Sequence, residues 1–309
     1  MNGLLELSEG ILCKIEVLGK TFDSSIAGVE VKIHFPQPPL FDEETPKVGF
    51  AQYLPPPEIA KTWKRGSTPL SWGYPQSYPS GNSCVELLAI SVNCSEDDRI
   101  EKARALYSGI KSWGKAFTDY LILSTKQNSG RDKNNLNKSN CFLQLIGTEC
   151  VPGVENDMLY AYLPNPDTFA GRDQIIEALQ FAGSGKEIKL EYQMLLSAYE
   201  ARRNCRNRQA IIDACSAVEL RLDSNINELI KKHSMNPKLF LDKFKSLGDK
   251  FDLIKQLDET FPIEDHHTII VTPRNDIAHN REVYPTDEIT DSLFSCVERC
   301  LEHNSKGYY

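Results

Sequence analysis

The chain has 309 residues, a formal net charge of -8, 40% hydrophobic residues and 25% charged residues. That length predicts about two domains at the usual ~100–200 residues each, with enough apolar material to close a sizeable core. The acidic balance excludes a general nucleic-acid coat protein, but not an enzyme that touches RNA locally and releases it.

From the start, Met1 to Lys20 intersperses apolar and charged residues, with neither a basic n-region nor an apolar h-region. No signal peptide is expected, and a cytoplasmic location follows. No apolar run nears the ~18–20 residues of a membrane span, so no membrane partner is expected. Residues 1 to 94 read as β. Ile11 to Val17 and Val29 to Phe35 alternate with period two, and Val85 to Val92 is a more continuous apolar strand. Residues 36–82 carry many prolines, with Tyr53, Trp63, Trp72, Tyr74 and Tyr78 interleaved, which predicts a long irregular excursion. A helix is predicted over 96–125, with Ser95 as N-cap and Glu96, Asp97 and Asp98 in its first turn. The polar stretch 126–140 predicts an exposed loop, followed by two short strands at 141–146 and 158–163.

From residue 186 the texture becomes helical. Four helices are predicted, over 187–204, 206–232, 237–260 and 286–303. Their apolar stripes are Leu190, Met194, Leu195, Leu196 and Tyr199; then Ile211, Cys215, Val218, Leu222, Ile226 and Leu229; then Phe240, Phe244, Leu247, Phe251, Ile254 and Leu257; then Ile289, Leu293, Val297 and Leu301. Stripes at spacings of three and four predict a bundle around one core. The expected fold class is therefore α+β: a mixed β-rich domain over 1–185, then a helical bundle over 186–309. The nine cysteines show no CxxC and no zinc spacing, and Cys296 and Cys300, one turn apart, read as ordinary thiols.

Chemistry concentrates between the last two predicted helices, in Thr272-Pro273-Arg274-Asn275-Asp276-Ile277-Ala278-His279-Asn280. Thr272 is expected to cap a short helix and Pro273 to take its first position. Asn275 and His279 share a face at a spacing of four. Arg274 and His279 are roughly 140° apart on an ideal helix at ~100° per residue, so the arginine must reach into a shared cleft. Histidine moves protons near neutral pH, and arginine sets a planar charge against phosphate oxygens. Together they suit attack of an RNA 2'-hydroxyl on the adjacent phosphate. Asn275 would hold the imidazole or a phosphate oxygen. The scheme needs no metal and no cofactor.

This stretch matches the R-x4-H signature of HEPN domains, with the common Asn directly after the Arg. Arg208 to Leu222 (RQAIIDACSAVELRL) resembles the second helix of that family. The resemblance covers about residues 186–305, and the likeness is nearest to the Apea-like HEPN proteins, which place a β-rich region ahead of the bundle. It implies a metal-independent endoribonuclease that dimerises so that two motifs face each other. It also implies a role in phage defence or a toxin system, with RNA as substrate and an activating or inhibiting protein as a further partner. By that resemblance Arg274 and His279 are the catalytic pair and Asn275 assists. The toxin subgroup paired with nucleotidyltransferase antitoxins carries a Tyr two residues after the His. Arg281 stands there instead, which disfavours that subgroup.

Around the motif, Glu219, at the family's acidic position, or Asp213 is expected to hold Arg274. Arg202, Arg203, Arg206 and Arg208 form the densest basic patch and are candidate RNA contacts, though a solvated helix end with cations near its C-terminus explains them without function. His266 and His267 read as loop residues, with metal ligation or pH sensing as the less expected roles. The rival to the enzyme is a non-catalytic HEPN scaffold whose function lies in the N-terminal domain.

Overall fold

A computed structural model describes residues 1–39, 53–65, 68–76, 81–127, 142–145, 169–234, 244–262, 265–279, 284–303, 305 and 307–309. The chain is α+β: an antiparallel six-strand sheet precedes a helical bundle. It divides into two compact units, Met1–Gln127 with Leu136–Lys186, and Asn128–Asn135 with Glu187–Tyr309. No helix among the described residues is long and apolar enough to cross a membrane.

In the first unit the sheet order is β2 (Thr21–Ile26), β3 (Val29–His34), β7 (Ser83–Ser91), β1 (Asn2–Cys13) and β8 (Phe142–Leu145), with β6 (Gly73–Pro75) also paired to β7. The near-continuous apolar run of β7 is explained by its central place. Val85, Leu88 and Ala89 are fully buried, as is Leu5 on its neighbour β1. The expected strand over Ile11 to Val17 is only its first part: β1 ends at Cys13 and a short 3-10 turn occupies Ile15–Val17. β1 reaches back to Asn2 instead, with a bulge between Glu6 and Ile11 that breaks the simple alternation.

The excursion over 36–82 is less irregular than its prolines suggest. Besides β6 it holds the small β4–β5 pair, Lys64–Arg65 with Thr68–Pro69. Trp72 is buried and its carbonyl accepts from the Glu86 amide. At Gly73 the backbone has φ +122, and a Cβ would lie 2.1 Å from the Cys84 carbonyl oxygen. Gly73→Ala is therefore expected to cost about 1–3 kcal/mol and to loosen the β6–β7 edge, read as a lower urea midpoint for this unit.

Two helices pack on this unit, α1 (Arg99–Thr125) and α2 (Arg172–Ser184). α1 starts three residues later than its carboxylate run suggests. Ser95 Oγ accepts from the Asp98 amide in a preceding turn, and the N-cap residue is Asp98. α2 was absent from the sequence expectation, although Ile175, Ala178, Leu179 and Ala182 form a buried stripe at helical spacing. The strand expected at 141–146 is present as β8; the one at 158–163 lies outside the described residues.

His34 ties three strands together. Its Nδ1 pairs with Thr21 Oγ1 at 2.9 Å and its Nε2 with Ser91 Oγ at 2.8 Å. Burial, then the Lys32 charge, lowers its pKa from the ordinary 6.5. The folded state thus favours neutral imidazole. As pH falls through 6.5 the unfolded chain takes the proton first, so this unit loses stability on acidification towards the lowered folded pKa. Urea midpoints at about pH 7.5 and about pH 5 are expected to show that loss, with a flatter slope in His34→Gln.

The second unit is built around α4 (Asn207–Lys232), which packs against α3 (Leu190–Arg203), α5 (Leu247–Leu257), α6 (Thr272–Ala278) and α7 (Asp287–Glu302). Ala210, Ala214 and Ala217 are fully buried on α4, so its small side chains admit close neighbours. The predicted stripe of α3 was partly misassigned. Leu190 is exposed, and the buried face is Tyr192, Leu195, Ala198 and Tyr199. A polar tip explains the miss at Tyr192, whose hydroxyl donates to the Leu301 carbonyl at 3.1 Å; Tyr199, in the predicted stripe, is buried and its hydroxyl donates to Glu298 Oε1 at 2.6 Å. Ile230 replaces Leu229 as the last buried position of α4, and Ile289 of α7 is exposed. α5 begins at Leu247 behind a capping box formed by Ser246 and Asp249, ten residues after the predicted start; Phe240 lies outside the described residues.

Candidate functional site

The R-x4-H segment enters through an unusual helix. A π-turn over His267–Val271 runs directly into α6, with Val271 and Thr272 both in the right-handed helical region. Thr272 therefore does not cap a new helix; its amide donates five residues back to the His267 carbonyl. The physical reason lies in Pro273, which has no N–H for a carbonyl four residues earlier and whose ring would crowd it. A widened π-turn immediately before it absorbs both problems.

Arg274 and Asn275 are half-buried near the start of α6, and Arg274 Nη1 donates to Asn275 Oδ1 at 3.1 Å. Arg274 also lies close enough to the buried Cys215 of α4 to act on it electrostatically. Burial pushes that thiol up to about 12, the Arg274 charge opposes the rise and Glu219 adds to it. Cys215 is thus a protonated packing residue, as is Cys300, whose thiol burial drives higher still; Cys296 is buried beside them on α7.

His279 is the C-cap residue of α6. Its amide donates to the Asn275 and Ile277 carbonyls, and its side chain is exposed, with no hydrogen bond among the described residues. No hydrogen bond joins it to Arg274 either. Asn280 and Arg281, the latter used above to disfavour one subgroup, lie outside the described residues.

The expected supports of Arg274 have other partners. Glu219 Oε1 accepts from Lys250 Nζ of α5 at 2.9 Å, and Asp223 shares the same ammonium at 2.9 Å. A partly buried lysine placed between two carboxylates one turn apart outcompetes a more distant guanidinium. Asp213 accepts from Gln209 Nε2 at 2.7 Å. Lys250 was not anticipated, although Glu219 and Asp223 at a spacing of four signalled a cation between them.

The four arginines are not one patch. Arg202 pairs with Asp291 of α7 and lies over the Phe294 ring, 5.0 Å from its centroid. Arg203 is half-buried, and Arg206 is exposed at the N-cap of α4. Arg208 Nη2 donates to the Ile277 carbonyl at 3.2 Å, which brings it to the end of α6 that carries His279. Its neighbour Asn207 donates to the Pro285 carbonyl at 3.1 Å and to Asp287 Oδ1 at 3.0 Å. Arg208 is thus part of the motif's scaffolding, whereas Arg202 braces α3 against α7.

On another side of α6, a groove of about 390 Å³ runs between the π-turn and α7. Ile269, Pro273, Ile277 and Ile289 give it an apolar floor, with Asp276 and Glu288 at its polar margin.

No family model, no curated protein and no solved structure matches this chain.

Proposed function

We propose that the second unit is a HEPN-type endoribonuclease that cleaves RNA without a metal, in phage defence or a toxin system. One placement supports the reading. Arg274 and Asn275 lie in a seven-residue helix and His279 caps its C-terminal end, with the arginine held by Asn275 and the histidine exposed.

The chemistry follows from those groups. His279 takes the proton of the 2'-hydroxyl as its oxygen attacks the adjacent phosphorus. The bond from phosphorus to the 5'-oxygen breaks, and that oxygen leaves as a hydroxyl on taking a proton from a protonated imidazole or from water. Arg274 stabilises the negative charge on the phosphorane oxygens. The products are a 2',3'-cyclic phosphate, opened to a 3'-phosphate, and a 5'-hydroxyl. As the HEPN resemblance implies, the reading includes a homodimer in which two motifs complete one cleft.

The test is cleavage of labelled tRNA and unstructured RNA in EDTA. Cleavage with cyclic-phosphate ends is the expected result, and intact RNA under every condition, including infection, would overturn it. One observation favours the scaffold reading: His279 has no hydrogen-bonded neighbour among the described residues to fix its tautomer. A scaffold would dimerise through this unit and leave all RNA uncut.

A further inference from the structure

The geometry points to a zinc-class divalent cation site formed by Asp252 of α5 with His266 and His267 at the mouth of the π-turn. The three side chains offer donor atoms that all lie within 4.8 Å of one another. Asp252 Oδ1 lies 3.3 Å from His266 Nε2 and 3.4 Å from His267 Nε2. Donors about 2.0–2.2 Å from a tetrahedral zinc stand about 3.3–3.6 Å apart, so both separations already suit an ion between them.

A second observation is independent of that spacing. His266 is only 3% exposed, yet its Nδ1 has no hydrogen-bond partner and its Nε2 meets the Asp252 carboxylate only at 3.3 Å, outside hydrogen-bond geometry. Buried polar atoms are normally satisfied, and an orphaned imidazole facing a carboxylate is what a metal ligand looks like without its ion. Its ring is fixed by stacking on Phe251, with centroids 4.6 Å apart, so its direction is set by packing. Asp252 and His267 are half-exposed at the side chain, 50% and 56%, which opens the fourth coordination position to water. Two imidazoles and one carboxylate are a donor set that zinc accepts. The Lys255 charge also acts on His266, and a bound dication would have to move that ammonium aside.

The sequence hides this set because Asp252 belongs to a different helix from the two histidines. The ion would tie α5 to the π-turn that continues into α6, and so fix the base of the Arg274 segment. It takes no part in the RNA reaction proposed above, and its test uses no RNA.

The full chain is stripped with EDTA, freed of chelator, and titrated with Zn²⁺ by calorimetry and with Co²⁺ by visible absorption. The wild type is expected to bind one equivalent, with tetrahedral-type cobalt bands and a raised Tm. Asp252→Asn and His267→Ala each change a half-exposed side chain, so their unfolding midpoints without metal should match the wild type. Both are expected to bind more than about 100-fold more weakly and to lose the cobalt bands. No saturable uptake by the wild type would overturn the site. So would uptake that survives in both variants, which would assign it to other donors such as surface thiols.

Discussion

His279→Ala is expected to lower RNA cleavage by about 10²–10⁴-fold, the usual worth of a positioned proton-transfer group. The loss should appear in kcat with little change in KM, because in the proposed reaction the imidazole acts on the moving proton and not on bound RNA. Stability should hardly move. The ring is exposed and without a hydrogen bond among the described residues, and the backbone bonds that close α6 involve its amide, which alanine retains. Arg274→Ala is expected to fall as far, and Arg274→Lys to recover only part, since an ammonium lacks the planar two-point fit to phosphate. Mixing the two inactive alanine variants separates a composite cleft from two independent ones. A mixed dimer that places an intact Arg274 opposite an intact His279 should regain measurable cleavage. Wild-type rates in His279→Ala would remove that residue from the site.

Phe251→Ala carries the largest expected cost in stability, about 3–5 kcal/mol, with a fall in Tm of more than about 10 °C. Phe251 is fully buried on α5. Its ring meets Phe261 edge-on at 6.1 Å and stacks on His266 at 4.6 Å. Alanine would remove both aromatic contacts and leave a cavity beside a buried histidine whose Nδ1 already lacks a hydrogen bond. The damage should spread along the chain to the π-turn and α6, so cleavage should fall as well. Phe251→Leu, which keeps most of the volume, is expected to recover the greater part of the stability. Thermal melts of the three proteins decide the matter, and equal midpoints would contradict the packing described.

What the sequence made legible was whatever a period could carry. The stripe from Ile211 to Ile226 placed α4 to within a residue at its start, and the alternation of Val29 to Phe35 placed β3. A burial pattern with a polar tip was misread: Tyr192 turns inward because its hydroxyl finds partners at the end of α7 and just beyond it, and Leu190 is exposed instead, whereas Tyr199 is buried as its place in the stripe implied. Thr272 was read as a cap from its place before Pro273, but the π-turn upstream keeps the chain helical. At the site, the motif itself stood out, whereas its neighbours did not. Which carboxylate faces which cation depends on how α4, α5 and α6 cross, so Lys250 captured Glu219 and left Arg274 to Asn275. Arg208 was read as an RNA contact, and its bond to the Ile277 carbonyl of α6 was not anticipated, because only the crossing of α4 and α6 creates it.

That brace has a counterpart in Asn207. Two consecutive side chains at the start of α4 grip the main chain at Ile277 and again at Pro285. Whatever lies between is therefore a closed ring whose ends are fixed from a third element. The entropy of closing a ring grows only with the logarithm of its length, so doubling it costs about 0.6 kcal/mol. Residues inserted after His279 should then be tolerated with little loss of stability, while the histidine keeps its position.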